Sequence, residues 1–310
     1  MKKFIKIVTF FLKNQTIRKA DFWVKLLKYK FTNKPLVYWY SRVHFENEQF
    51  ENFGDIITPY LVKKLTNIAP ILFRPSYELS MFCKYFIMTG SIIVDARKNS
   101  IVWGSGLIKT SQKISGGRFL AVRGPRTAKR LKELGFSEPS VYGDPALLLP
   151  LLYRPKSTLK TYKIGIIPHY VDYEEIKKMV DSFLYSDIKV INLLNNNVED
   201  VIDEIVNCER IISTSLHGVI VANAYDIPTM WWKFSNKLIG DDVKFYDYFE
   251  SLEMFNVKPI YTEKVEDLVA LDDYFLPNDK VLEKVQQNLF YTFPIKNKFH
   301  NNLKTNIFSK

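Results

Sequence analysis

The chain has 310 residues, 47% hydrophobic and 25% charged, which allows two cores of ordinary size and excludes a disordered or fibrous polypeptide. Lysines and arginines number 44 against 33 acids, and the resulting formal charge of +11 points to an anionic partner: nucleic acid, anionic lipid or a phosphorylated small molecule. Cys83 and Cys208 form no CxxC pair, so no metal or redox motif is read from them, and a reducing, cytoplasmic setting is expected.

Residues 1–34 are a basic lead-in. Lys6 interrupts its apolar part and no small-residue cleavage site follows, so a signal peptide is not expected. No apolar run approaches the roughly 18–20 residues of a membrane span. Phe10, Phe11, Phe22, Trp23, Leu26 and Leu27 alternate with Lys13, Arg18, Lys19, Lys25, Lys28 and Lys30. That mixture suits either a helix packed on the body or peripheral contact with the inner face of an anionic cell membrane.

A first α/β series is expected over residues 35–155. Residues 36–40 read as a strand, and Asn52-Phe-Gly-Asp55 as a turn into a helix reaching residue 65. Residues 85–93, 100–106 and 118–123 are apolar runs ending in small or polar residues, the pattern of buried parallel strands. A helix over 127–134 is closed by Gly135, and Val141-Tyr142 runs into Gly143-Asp-Pro145. Residues 153–162 form the linker.

A second series over residues 160–255 begins with a strand at 163–168 and His169 just beyond it. Helix 174–184, strand 189–193 and helix 198–206 lead to a short strand at Ile211 and Ile212. Next come the hydroxyl-rich turn Ser213-Thr214-Ser215, a helix from His217, a stop at Asp226-Ile-Pro228 and a strand into Trp231 and Trp232. Thr214 or Ser215 is expected to cap the helix through its hydroxyl, and the turn plus helix N-terminus makes an anion site. A helix at 245–252 follows. Residues 256–310 are expected to hold one helix (278–290) and a loosely ordered basic tail. In open α/β sheets ligands bind beyond the carboxyl ends of strands, which places Arg123, Asp144, His169 and His217 together in a cleft between the halves. Each also has an ordinary structural reading: a salt-bridge arginine, a turn aspartate, and loop or core histidines.

The series Asn52-Phe-Gly-Asp55, Trp103-Gly-Ser-Gly106, Val122-Arg-Gly-Pro125, Gly143-Asp-Pro145, Ile166-Ile-Pro-His169 and Ser213-Thr-Ser-Leu-His-Gly218 resembles the polysaccharide pyruvyl transferase family. The motifs occur in that family's order between Leu36 and Trp232; the basic lead-in and the tail lie outside. The resemblance implies two Rossmann-like domains facing a cleft in a GT-B-like fold, no resident cofactor and no metal. It implies phosphoenolpyruvate as co-substrate and transfer of an enolpyruvyl unit to a saccharide hydroxyl, nascent or lipid-linked, usually closing a pyruvate ketal. His217 matches the family's active-site histidine and Arg123 its donor-binding arginine. For such a reaction Asp55 is the first choice of general base and Asp144 the second, and Ser213, Thr214 and Ser215 would take the phosphate. Asn52, His169 and Lys233 complete the cleft. Some members carry an arginine where this chain has Ser215; Arg126, Lys109 and Lys233 are the candidate substitutes. The rival reading is a GT-B-like glycosyltransferase using a nucleotide sugar. No helix-turn-helix, zinc-finger or RNP signature accompanies the charge, so nucleic acid is not an expected partner.

Overall fold

The computed structural model describes residues 17–182 and 186–307; expectations resting on residues 1–16 or on Lys310 lie outside the described residues. The first domain opens with α1 (Ile17–Lys30), followed by β1 (Leu36–Tyr38), α2 (Arg42–Phe45), α3 (Phe53–Thr66), β2 (Ile71–Leu72) and α4 (Tyr77–Phe82). It continues through β3 (Tyr85–Ile87), β4 (Ser100–Trp103), β5 (Arg118–Ala121), α5 (Pro125–Glu133) and α6 (Leu149–Leu152). Its five strands are all parallel, in the order β2-β1-β3-β4-β5.

The second domain repeats the plan with β6 (Tyr162–Ile167), α7 (Tyr173–Ser182), β7 (Ile188–Val190), α8 (Val198–Val206) and β8 (Cys208–Ser213). Then come α9 (Leu216–Ala224), β9 (Thr229–Lys233), α10 (Val243–Ser251), β10 (Ile260–Tyr261) and α11 (Val265–Val269). Its parallel sheet has the order β10-β9-β8-β6-β7, so it takes in a strand beyond residue 255. Two sheets of this kind are Rossmann-like halves, as expected.

β3 and β4 stop earlier than their apolar runs. Gly90 and Gly104 take φ of +88° and +94°, a left-handed backbone that suits glycine and turns the chain away at the carboxyl edge. The sheets do not stand apart. One continuous core joins Phe53, Ile57 and Leu61 of α3 to Leu193, Val198 and Ile202 of the second domain and to Val219 and Ile220 of α9.

The closing helices α12 (Asp279–Thr292) and α13 (Lys298–Ile307) return to the first domain. Trp103 Nε1 donates to Leu289 O at 3.1 Å, and Gln286 Nε2 to Leu147 O at 2.8 Å. The tail expected to be loose is therefore helical. Asn297 Nδ2 donates to Thr66 O while its Oδ1 accepts from His300 N, and the His300 ring lies against Phe290 (4.7 Å) and Phe293 (5.0 Å). Aromatic docking overrides a polar, lysine-containing sequence there.

Candidate active site

Two helix N-termini, one from each domain, meet at His217. Asn52 caps α3, its Oδ1 accepting from Gly54 N at 3.3 Å. The same segment is pinned to the second domain: Phe53 N donates to Leu193 O (2.8 Å), Asn195 N to Glu51 O (3.0 Å) and Glu51 N to Asn196 Oδ1 (3.0 Å). Gly54 then sits flat against His217. A Cβ on it would come within 2.7 Å of the imidazole Cγ and 2.8 Å of Cε1, so the close approach requires glycine. Partial positive charge from α3 and α9 converges there.

The cap expected on α9 is arranged differently. Ser215 is the N-cap residue but its hydroxyl caps nothing. Ser213 Oγ instead donates within 2.9 Å of Ile167 O and Ser215 O while accepting from Ser215 N, locking the turn from inside. Thr214 Oγ1 accepts from His169 N at 2.7 Å. Two of the three hydroxyls are thus committed to the turn, leaving Ser215 and the helix N–H groups for a ligand.

His217 Nε2 lies 3.9 Å from Asp144 Oδ2, and among the described residues neither sealed atom has another partner. Asp144 Oδ1 accepts from Ala146 N at 3.0 Å, which fixes the carboxylate's orientation. Burial pushes the His217 pKa down to about 3, with Arg123, Lys244 and His169 adding to the effect. Burial raises Asp144 to about 6, against the Ala146 N–H and Arg123. At neutral pH the imidazole is neutral and the carboxylate mostly ionised. Asp55, in the first turn of α3, is raised to about 7 by burial, against its bond with Asn52. His169 is lowered to about 3 by burial and by Lys244, with its ring against Tyr170.

Arg123 is fully buried and held on every side. Nη1 donates to Ser91 Oγ (2.8 Å), Nη2 to Leu107 O (2.5 Å), and Nε stands 3.4 Å from Asp247 Oδ2. Gly106 makes room for the guanidinium, since a Cβ there would meet its Cζ at 2.6 Å. Asp247 also accepts from Thr127 N and Oγ1, so one buried carboxylate clamps α5 to α10.

Two of the candidate substitutes for the missing arginine sit elsewhere. Arg126 is on the outer surface, paired with Glu250 (2.7 Å) and lying over the Tyr246 ring. Lys109 is exposed on a loop. Lys233 pairs with Asp242 over the Tyr261 ring and lines a cavity of about 800 Å³ beyond β9 and β10, with Phe234, Asn236 and Glu263 also in its wall.

Lys244 escaped the sequence reading. It lies one turn before Asp247, so both project from one face of α10 toward Arg123. Among the described residues it forms no ion pair, and burial and Arg123 lower its pKa to about 8. Its charge is felt at both His217 and His169. Lys244, Arg123, His217, His169 and Asp144 are therefore gathered where two parallel sheets present their carboxyl ends, and Asp55 lies one residue beyond Gly54, beside Gly90 at the end of β3. Among the described residues no cluster of His, Cys, Asp or Glu could hold a metal ion, and no helix is long and apolar enough to cross a membrane.

Two parallel sheets sharing such a polar seam have the architecture of an α/β enzyme, and the family to which the chain belongs is one of transferases. The chain belongs to the polysaccharide pyruvyl transferase family, whose model matches residues 22–232. The match begins inside α1, further toward the N-terminus than the motif series. The chain is also similar to an uncharacterised protein of Acanthamoeba polyphaga mimivirus, 29% identical over 231 residues that cover 72% of this chain and 79% of that protein.

Proposed function

We propose that this protein transfers an enolpyruvyl unit from phosphoenolpyruvate to a saccharide hydroxyl during surface-polysaccharide assembly, in a GT-B-like cleft. The observation that carries the reading is the set of cationic and N–H donors around His217, with Lys244 forming no ion pair among the described residues, a setting for a small polyanion. The donor brings a phosphate and a carboxylate. Lys244 and the α9 N-terminus with Ser215 take one, and Arg123 reaches the other through Nη1 by exchanging its bond to Ser91.

A bound polyanion favours the imidazolium form, so donor binding raises the His217 pKa and readies it as an acid. The acceptor oxygen bonds to C2 of the enol as a proton is delivered to C3. Asp55, with its pKa near 7, takes the hydroxyl proton, and His217 supplies a proton where C3 forms its bond or where phosphate departs. Asp144 holds the imidazole in register. A second hydroxyl of the same sugar replacing the phosphate closes the ketal. The cavity beside Lys233, with Tyr261 67% exposed as an aromatic platform, suits the flanking sugars.

The test is acceptor-dependent phosphate release from phosphoenolpyruvate across a saccharide panel, with calorimetry for donor binding. Lys244→Ala should raise the donor KM about tenfold or more, with partial recovery in Lys244→Arg. No release and no donor binding across the panel would refute the reading.

A further inference from the structure

Among the described residues, helix α1 keeps one apolar face exposed. Leu26 is 1% exposed, the Phe22 ring packs 6.2 Å from Phe82 on α4, and Tyr29 packs 5.2 Å from Phe73. These contacts fasten the helix to the first domain. On the opposite side Val24 (64% exposed), Leu27 (40%) and Phe31 (81%) follow the spacing i, i+3, i+7 and form one solvent-facing apolar stripe. Met81 on helix α4 is also 45% exposed. Lys25, Lys28, Lys30 and Lys34 are exposed around the stripe, with Arg74 and Lys84 on neighbouring segments and Glu78 as an acid on α4.

We propose that this face is a peripheral docking surface for an anionic lipid bilayer, the stripe entering the interfacial region while the lysines meet lipid phosphates. Charge complementarity selects that occupant. A bilayer supplies many phosphates around a shallow apolar layer, which matches a narrow stripe ringed by cations. A second copy of the chain would bring two sets of lysines face to face, and like charges across a small patch oppose association. The inference is independent of the transfer reaction and concerns where the protein sits.

The experiment is vesicle co-sedimentation of the full chain at low and high salt. The vesicles are phosphatidylcholine alone and phosphatidylcholine mixed with phosphatidylglycerol. The protein should bind only the anionic vesicles and release as salt rises. The double variant Leu27→Ser/Phe31→Ser and the double variant Lys28→Glu/Lys34→Glu should each weaken partitioning by about tenfold or more. All four positions are exposed, so thermal melts should stay at the wild-type value, and a variant that melts early is replaced by Val24→Ser or Lys28→Gln. The proposal is overturned by equal binding to neutral and anionic vesicles, by no binding of the folded protein at low salt, or by variants that bind like wild type. It is equally overturned if light scattering shows a dimer that Phe31→Ser dissolves, since the face would then belong to a second copy. Absence of transferase activity would leave the outcome of this test unchanged.

Discussion

Gly54→Ala separates the geometry of the site from its stability. Gly54 lies in the first turn of α3 with no left-handed backbone requirement, so the helix itself gains about 0.8–1 kcal/mol from alanine. The new Cβ, however, stands 2.7 Å from His217 Cγ and 2.8 Å from Cε1, and closer still to Nδ1. Ordinary contact requires the ring to retreat by about 1 Å, and such overpacking costs about 1–3 kcal/mol. The two effects nearly offset, leaving a folded protein whose stability changes by no more than about 2 kcal/mol. A reacting group displaced by about 1 Å costs on the order of a hundredfold in turnover. Phosphate release should therefore fall about a hundredfold while the urea midpoint moves little. The decisive arm is the His217→Ala background, where the ring is gone. There the packing cost vanishes and Gly54→Ala should stabilise the protein by about 1 kcal/mol. The same stability change in both backgrounds, or wild-type turnover in the single variant, would refute the juxtaposition of α3 with His217.

Two further expectations follow from the buried charges. Asp55 binds its proton more tightly in the folded than in the unfolded chain, so its contribution to stability falls as pH rises from about 4, the model-peptide value, to about 7. Asp55→Asn should accordingly stabilise the protein at pH 8 relative to wild type by roughly 1–2 kcal/mol and have little effect near pH 4, while lowering activity and removing its fall on the acidic side of about pH 7; equal urea midpoints at both pH values would contradict this. Arg123→Ala leaves Asp247 buried and unpaired and should cost about 3–5 kcal/mol, whereas Arg126→Ala, at a half-exposed pair with Glu250, should cost at most about 1 kcal/mol and leave the donor KM unchanged.

Much of the scaffold was legible because buried parallel strands write themselves as apolar runs ending in glycine. The helix at residues 198–206 was placed to the residue, and β6 and β9 nearly so, while β8 extends well beyond the expected Ile211 and Ile212. What stayed hidden depends on partners distant in sequence. Arg123 reads as a free cation at a strand end until Asp247, Ser91 and Leu107 are seen to enclose it. Ser213 and Thr214 read as ligand hydroxyls, yet the turn consumes them. Arg126 follows Arg123 by three residues but begins a helix whose axis carries it outward. Lys244 carries no local signal: its importance comes only from α10 packing Asp247 onto Arg123, which aims the preceding turn at His217. The helical tail was concealed because His300 and Asn297 are polar by identity and become docking residues only beside Phe290, Phe293 and Thr66.

The return of α12 and α13 to the first domain has a consequence for biosynthesis. As the chain leaves the ribosome, β1 to β5 emerge early, but the face around Trp103, Gly143 and Leu147 is covered by Val285, Gln286 and Leu289. The first domain therefore cannot complete its fold until nearly the whole chain has been synthesised, after the second domain's sheet has been made. A chain cut off after residue 275 would carry the strands of the second sheet and an open apolar face on the first, the form most in need of a chaperone.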